Sequence, residues 1–166
     1  VALVGFGDIG KQAAKRMLAA EMKVIAYDPY APESPAELSA VQRDPWPQRL
    51  DEADFLVVTC ALTESSRHLV NTDSLASCKP GLRVINVGRG PVIDENALEE
   101  ALKSERVYSA ALDVFEQEPP PTSSYLRVHP RCIFGSHNAS NTTDAVQKTS
   151  ELAILKLTEF LAAKAL

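Results

Sequence analysis

Three side chains suited to anion binding and proton transfer, Arg89, Glu118 and His137, each follow an apolar stretch typical of a buried strand. Because the carboxyl ends of parallel strands meet at one edge of a sheet, we expect these side chains to converge there. Arg89 can hold a carboxylate through a bidentate fork. His137 can exchange a proton with a substrate oxygen near neutral pH, and Glu118 can hydrogen-bond the imidazole and orient it. The three residues predict acid–base chemistry on an anionic substrate.

A glycine-rich turn lies at the start of the chain, where an apolar strand runs into Gly5-x-Gly7-x-x-Gly10 and then into a helical pattern. This context predicts a dinucleotide-binding turn. Gly5 permits the tight turn, Gly7 lets the backbone approach a pyrophosphate, and Gly10 lets the helix pack close to the sheet. The helix N-terminus would present its N–H groups to the phosphates. The alternative is a glycine-rich turn that binds nothing.

An acidic residue closes the second apolar strand, since Asp28 lies 18 residues after Gly10. A carboxylate at this place can accept hydrogen bonds from ribose hydroxyls. It would repel the 2′-phosphate of NADP, and no arginine directly follows it. We therefore expect NAD to be the cofactor.

Strand and helix patterns alternate along the chain. Apolar stretches indicate short strands at residues 1–4, 24–27, 55–59, 83–86, 110–113 and 132–135, with a weaker candidate at 40–42. Helical patterns fall at residues 11–21, 47–52, 72–77, 95–104 and 142–163. This alternation predicts an α/β fold with a doubly wound parallel sheet, the Rossmann architecture, whose ligands bind at the carboxyl ends of the strands.

Composition limits the partners that we expect. The net charge is −5 and the 17 basic residues are scattered, which argues against nucleic acid and anionic membranes as partners. Apolar runs are much shorter than the roughly 18 residues of a membrane span. The three cysteines, Cys60, Cys78 and Cys132, lie far apart and are expected to be reduced thiols in a cytoplasmic protein, not metal ligands.

The chain resembles the NAD-binding domain of the D-isomer-specific 2-hydroxyacid dehydrogenases, the family of phosphoglycerate dehydrogenase, glyoxylate/hydroxypyruvate reductase and D-lactate dehydrogenase. The resemblance covers essentially all 166 residues. Besides the glycine turn, it rests on Leu62-Thr63 followed by Arg67, on Asn86-Val-Gly-Arg-Gly-x-x-Ile-Asp94, and on Asp113-Val-Phe-x-x-Glu118-Pro.

The resemblance implies reduction of a 2-keto acid by NADH, or the reverse oxidation of a D-2-hydroxy acid. It implies that Arg89 binds and polarises the keto acid, and that His137 is the acid–base group paired with Glu118. The residues that it places at the cofactor are Gly5, Gly7, Asp8, Ile9, Gly10, Asp28, Ala61, Thr63, Val87, Gly88, Arg89, Asp113, His137 and Ser140.

Two places depart from the family pattern. The family commonly has Pro-His-Ile-Gly where this chain has Ser136-His137-Asn138-Ala139, and Ala61 replaces a proline before Leu-Thr. The histidine is kept, so the departure concerns the wall of the pocket and not the acid–base group.

Members of the family have two lobes, and because this sequence begins inside a strand pattern we expect it to be a piece of a longer chain that lacks the N-terminal substrate lobe. We expect residues 1–148 to form the NAD-binding domain and residues 149–166 to be a helix that returns to an absent substrate domain. The resemblance also implies a homodimer in the intact protein. The 166 residues alone are expected to bind NAD but to show negligible turnover.

Other functions are compatible with parts of this pattern. An NAD-sensing, corepressor-like binding protein would keep the same fold. A relative acting on formate or phosphite is disfavoured, because the formate branch tends to have a Gln–His pair in place of Glu118 and His137. Each of the three reactive side chains could also be a structural or solvated residue, and His68 and His129 are expected at the surface.

Overall fold

A computed structural model describes residues 1–164, and within them seven strands form one parallel sheet. The strands are β1 (Ala2–Val4), β2 (Ile25–Tyr27), β3 (Gln42–Arg43), β4 (Phe55–Val58), β5 (Leu82–Asn86), β6 (Val107–Leu112) and β7 (Cys132–Phe134). Their order across the sheet is β3-β2-β1-β4-β5-β6-β7. The order reverses between β1 and β4, which confirms the predicted doubly wound sheet and marks the edge where ligands bind in such folds.

Four α-helices accompany the sheet in the described part of the chain. They are α1 (Asp8–Ala19), α2 (Thr72–Ser77), α3 (Glu95–Lys103) and α4 (Thr143–Lys164), and short 3₁₀ turns lie at Ala36–Leu38, Leu50–Glu52, Gly90–Val92 and Tyr125–Val128. Side chains cap α2 and α3 at their N-termini. Asn71 and Ser74 form a reciprocal capping box on α2, and the Asp94 carboxylate accepts from the N–H groups of Asn96 and Ala97 at the start of α3.

Apart from shifts of one or two residues at the ends of strands and helices, such as β3 at Gln42–Arg43 against the predicted 40–42, the elements differ from the sequence patterns in three places. Residues 47–52 form turns and a 3₁₀ turn, not an α-helix, because Arg49 adopts φ +60°, which interrupts helical geometry. Helix α1 begins at Asp8 and not at residue 11, since it starts directly from Gly7. Strand β6 begins at Val107, three residues before the predicted start, because the outward Tyr108, 46% exposed, masks its apolar alternation.

The core lies on both faces of the sheet. In β1, Leu3 packs on one face with Phe6, Ala14 and Val24, whereas Ala2 and Val4 pack on the other face with the α2 and α3 side. All three β1 residues are buried. Full burial of a side chain such as Leu3 contributes about 1.5–3 kcal/mol, so the sheet holds the loops at its carboxyl edge on a rigid support.

Residues Val1–Gly135 form one compact unit, which contains β1 to β7 and α1 to α3. The second unit begins at Ser136 and contains α4, whose first turn is capped by the Thr142 hydroxyl accepting from the Ala145 N–H. No helix within residues 1–164 is long and apolar enough to cross a lipid bilayer. The division into a domain of residues 1–148 and a returning helix of residues 149–166 stays a prediction.

Candidate cofactor site and active site

The glycine turn after β1 is closed by contact between backbones. Gly5 adopts φ +93°, and a Cβ added there would lie 2.6 Å from the backbone nitrogen of Cys60. A Cβ at Gly10 would overlap the carbonyl oxygen of Gly5. The Gly5 N–H also donates to the Tyr27 carbonyl at 3.0 Å, which fixes the turn to β2. Side chains larger than hydrogen are therefore excluded at both glycines by the fold itself.

The N-terminus of α1 is open, in contrast to the turn before it. Gly7 is the N-cap, no side chain caps the helix, and a Cβ at Gly7 would meet nothing within 4 Å. Asp8 and Ile9 are exposed, and Ile9 keeps 60% of its surface accessible. The first N–H groups of a helix have no partner within it, so this terminus presents donors and partial positive charge to an approaching anion.

Asp28 organises the turn, and its predicted role as a ribose ligand is compatible with its contacts. Its Oδ2 accepts from the Phe6 N–H at 2.7 Å, and its Oδ1 accepts from the N–H groups of Tyr30 and Ala31 at 3.0 and 3.1 Å. An ionised carboxylate has about four lone-pair sites, so capacity for a ribose hydroxyl is left. The sequence analysis assigned this residue only the ligand role.

Arg43, which the sequence analysis did not single out, holds the loop that follows Asp28. Its guanidinium donates to the carbonyls of Asp28 at 2.7 Å and Pro32 at 3.2 Å, and it lies 5.1 Å from the centroid of the Phe6 ring. The residue stands at the end of the weak strand pattern at 40–42, where nothing in the sequence distinguishes it from a surface arginine.

The loop after β4 lies against two of the glycines. A Cβ at Gly88 would come within 2.8 Å of the Cys60 carbonyl oxygen, so Cys60 separates Gly5 from Gly88 by direct contact. Burial raises the pKa of the Cys60 thiol to about 11, which leaves it neutral and unreactive near pH 7. Ala61 and Thr63 are exposed in the same loop, consistent with the predicted place of both residues beside a cofactor.

The loop after β5 carries Arg89 and is held by the buried side chain of Asn86. The Asn86 amide donates to the Arg89 carbonyl at 3.1 Å, and its oxygen accepts from the Gly88 N–H at 3.0 Å. The Val87 N–H donates to the Val58 carbonyl, so this loop is also fixed to β4. Arg89 is exposed and donates to the Gly88 carbonyl at 2.7 Å. Its guanidinium therefore projects from a rigid backbone.

The loops after β5 and β6 touch each other. A Cβ at Gly90 would overlap the backbone of Phe115, and the Asp113 N–H donates to the Asn86 carbonyl at 3.0 Å. Glu118 closes its own turn, since its Oε1 accepts from the Phe115 N–H at 3.0 Å. The structure thus brings the loop of Arg89 and the loop of Glu118 together, and the convergence of the side chains stays a prediction.

The end of β7 is anchored beside Asp113. The Gly135 N–H donates to the Leu112 carbonyl at 2.8 Å, and a Cβ at Gly135 would overlap the Asp113 carboxylate. His137 and Ser140 belong to the second unit, where His137 adopts φ +58°. The pairing of His137 with Glu118 stays a prediction.

The expectation that His129 lies at the surface is wrong. Only 7% of His129 is exposed, its ring contacts the Tyr125 ring at 5.5 Å, and its Nδ1 accepts from the Arg131 N–H at 3.2 Å. The polar residues around it in the sequence hid this burial, because their side chains point elsewhere. Among residues 1–164, no group of three or more His, Cys, Asp or Glu side chains could hold a metal ion.

The described geometry agrees with the family that the comparisons identify. A protein-family model described as "D-isomer specific 2-hydroxyacid dehydrogenase, NAD binding domain" matches residues 1–139. The chain belongs to this family.

Named relatives support the same assignment. The chain is 48% identical over 118 residues to hydroxypyruvate reductase from Thermotoga maritima, covering 71% of this chain and 38% of that protein. It is 35% identical over 164 residues to D-3-phosphoglycerate dehydrogenase from Rattus norvegicus, covering 99% of this chain and 31% of that protein. The chain thus spans less than two-fifths of the length of either relative.

Solved structures are also similar. A glyoxylate reductase from Paecilomyes thermophila aligns with a TM-score of 0.81 at 33% identity, covering 93% of this chain and 46% of that one. D-lactate dehydrogenase with NAD+ from Lactobacillus jensenii aligns with a TM-score of 0.84 at 27% identity, covering 92% of this chain and 49% of that one. These names support a dehydrogenase, and they lend no support to the corepressor alternative.

The residues at the carboxyl edge fit a dinucleotide. The turn at Gly5 and Gly10 is closed, the space at Gly7 is open, and no side chain caps the first N–H groups of α1. A pyrophosphate needs this combination of close backbone approach and free N–H groups. Consistent with the family description, the chain is an NAD-binding domain.

Proposed function

We propose that the protein containing this chain is an NAD-dependent oxidoreductase that interconverts a 2-keto acid and a D-2-hydroxy acid. The relatives named above are hydroxypyruvate, glyoxylate, phosphoglycerate and lactate enzymes, all of which handle small 2-oxygenated acids. The single observation that carries the proposal is the contact between the loops of Arg89 and Glu118 at the carboxyl edge of the sheet.

Arg89 binds the substrate in this proposal. When bound, NADH supplies the hydride that reduces the keto carbon. The Arg89 guanidinium holds the substrate carboxylate through two parallel hydrogen bonds and offsets negative charge that develops on the keto oxygen. The Asn86 amide fixes the backbone from which this guanidinium projects, so the binding geometry is set before substrate arrives.

His137 is proposed as the acid–base residue. In reduction it donates a proton to the keto oxygen, and in oxidation it removes the hydroxyl proton. Glu118 orients the imidazole, and Asp113 lines the nicotinamide end of the cofactor site together with Val87 and Gly88. The hydrogen bond that Glu118 Oε1 accepts from the Phe115 N–H supports this role, because it fixes the carboxylate that would hold His137.

The experiment is NADH oxidation by the full-length protein with glyoxylate, hydroxypyruvate, pyruvate and phosphohydroxypyruvate. We expect turnover with at least one of them. His137→Ala should lower kcat by about 100-fold or more while the Kd for NADH stays within twofold, because a general acid acts only in the chemical step. Asp51→Asn, a substitution at an exposed residue outside the proposed site, is the control and should behave as the wild type.

Two results would contradict the proposal. One is the absence of turnover of the wild-type protein with every 2-keto acid tested while NADH still binds. The other is a His137→Ala variant that keeps wild-type kcat, which would remove the acid–base assignment.

Location and assembly complete the proposal. The three free cysteines and their raised pKa values suit a reduced, cytoplasmic protein. The resemblance supports a homodimer, and exposed apolar side chains on α4, among them Val146, Ile154 and Leu157, offer surface for an assembly. With a net charge of −5, neither nucleic acid nor membrane is proposed as a partner.

A further inference from the structure

Two glutamates tie the loop of Arg89 to the loop of Glu118. The Glu95 N–H donates to Oε1 of Glu116 at 2.9 Å, and the Glu116 N–H donates to Oε1 of Glu95 at 2.6 Å. Glu95 follows the loop of Arg89 as the first residue of α3, and Glu116 lies two residues before Glu118. The exchange is reciprocal, so a shift of either loop would break both hydrogen bonds.

The loop that contains His68 contacts both of these loops. The His68 N–H donates to the Pro91 carbonyl at 2.8 Å, and its Nε2 lies 3.2 Å from Oε1 of Glu116. This Nε2 is buried and makes no hydrogen bond of good geometry within residues 1–164, so its link to Glu116 is a close contact only. His68 also adopts φ +49°, a left-handed conformation that non-glycine residues rarely take. We call His68, Glu95 and Glu116 the interloop clamp.

The clamp is acidic. Burial raises the pKa of Glu95, and the charges of Glu116, Glu99 and Glu118 raise it further, against the hydrogen bond from the Glu116 backbone. An apolar pair could not replace Glu95 and Glu116, because the two backbone N–H groups would then lose their acceptors. The two carboxylates therefore link the segments that carry the proposed reactive residues through hydrogen bonds that depend on their oxygens.

We propose that His68, Glu95 and Glu116 are positioning residues that hold the Arg89 and Glu118 loops at one fixed separation. The inference rests on the proposed function, because it assigns the clamp to the presentation of the substrate carboxylate and the acid–base pair together. Gly90 transmits the position directly, since its backbone packs against Phe115. A misplacement of about 1 Å at such a site can cost about 100-fold in rate.

The test uses Glu116→Ala and Glu116→Gln in the full-length protein. Glu116→Ala removes the acceptor for the Glu95 N–H and the partner of His68. It should lower kcat/KM for the 2-keto acid by about 10- to 100-fold, mainly through KM, while the Kd for NADH stays within twofold. Glu116→Gln keeps an accepting oxygen and should recover activity to within about threefold of the wild type.

Glu100→Ala is the matched control, because Glu100 lies on α3 but pairs only with Lys103 at the surface in the described residues. It should leave kcat/KM and the NADH Kd unchanged. Wild-type kinetics in Glu116→Ala would overturn the clamp, and so would equal losses of NADH affinity and kcat/KM, which would indicate a merely structural role.

Amide hydrogen exchange separates the clamp from the proposed function. In Glu116→Ala, exchange at Arg89, Gly90 and Glu95 should quicken at least tenfold while the Leu98 amide in the middle of α3 is unchanged. Unchanged exchange at these loop amides would overturn the clamp even if the enzyme turns over. Wild-type protein that reduces no 2-keto acid would instead overturn the proposed function, and with it the assignment of the clamp to catalysis.

Discussion

The two ends of the cofactor edge are built by different means. At the β1–α1 end, close contacts between backbone segments determine the conformation of the turn. Gly5 lies against the backbone of Cys60, and Gly10 lies against that of Gly5. At the β5–β6 end, side chains hold the loops. Asn86, Glu95 and Glu116 each accept hydrogen bonds from backbone N–H groups of loops that would otherwise have no regular structure.

This difference implies different responses to substitution. Backbone contact tolerates no added atom, so changes at Gly5 and Gly10 should be all or none. Side-chain hydrogen bonds contribute about 0.5–1.5 kcal/mol each, so changes at the second end should be graded and should affect substrate handling before they affect folding. The dinucleotide end therefore depends on shape, and the reaction end depends on adjustable polar contacts.

The largest effect is expected at Gly10. In Gly10→Ala the added methyl group would overlap the Gly5 carbonyl oxygen, so the turn must open. We expect loss of NAD binding together with a large fall in Tm, or failure to fold. Gly7→Ala is the matched variant, because its methyl group meets nothing within 4 Å. Its unfolding free energy should change by less than about 1 kcal/mol, while NAD affinity falls at least tenfold.

Calorimetric titration with NAD and thermal unfolding of both variants provide the measurement. Gly10→Ala with a wild-type Tm would show that the turn is looser than described. Gly7→Ala with wild-type NAD affinity would place the pyrophosphate away from α1.

An intermediate effect is expected at Asn86. Asn86→Ala leaves the Gly88 N–H and the Arg89 carbonyl without their partner, which costs about 1–3 kcal/mol for buried groups. A Tm lower by roughly 2–10 °C should result, with a larger proportional loss of kcat/KM for a 2-keto acid than of NADH affinity. Asn96→Ala, an exposed substitution on α3, is the control. Equal losses in both measurements would mean that Asn86 supports the fold and not the Arg89 loop.

The features that the sequence predicts correctly depend on neighbouring residues, and those that it misses depend on contacts between distant parts of the chain. The glycine spacing, the strand patterns and the helices are local signals, and they led to the correct sheet. The roles of Arg89 and Glu118 stay predictions. Tyr108 hid the start of β6, because one outward aromatic side chain breaks an apolar run. The predicted helix at 47–52 does not form, because Arg49 adopts a left-handed backbone conformation. Nothing in the neighbouring residue types indicates this conformation.

The side-chain contacts between loops could not be predicted in this way. Glu95 and Glu116 are 21 positions apart, and Arg43 reaches 15 positions back to Asp28. Neither pair has a spacing that marks it, since glutamates and arginines of this kind usually lie in water. Such contacts become visible only when the sheet has fixed which loops are neighbours.

The smallest effect is expected at Asp28, whose side chain forms hydrogen bonds with the backbone at the β1–α1 end. Its carboxylate is held by three backbone N–H groups, yet it is also the proposed discriminator between NAD and NADP. The wild-type protein should bind NAD at least tenfold more tightly than NADP, because the carboxylate repels a 2′-phosphate. Asp28→Asn keeps one accepting oxygen for the turn and removes the charge, so the ratio of the NAD and NADP affinities should narrow about tenfold, or about 1.4 kcal/mol.

Asp51→Asn, an exposed substitution of the same kind, should leave the ratio unchanged. Calorimetric titration of both dinucleotides at low ionic strength is the appropriate measurement, since salt screens the repulsion. Equal affinity of the wild type for NAD and NADP would mean that Asp28 serves only to close the turn, and selectivity would then have to come from another part of the adenosine pocket.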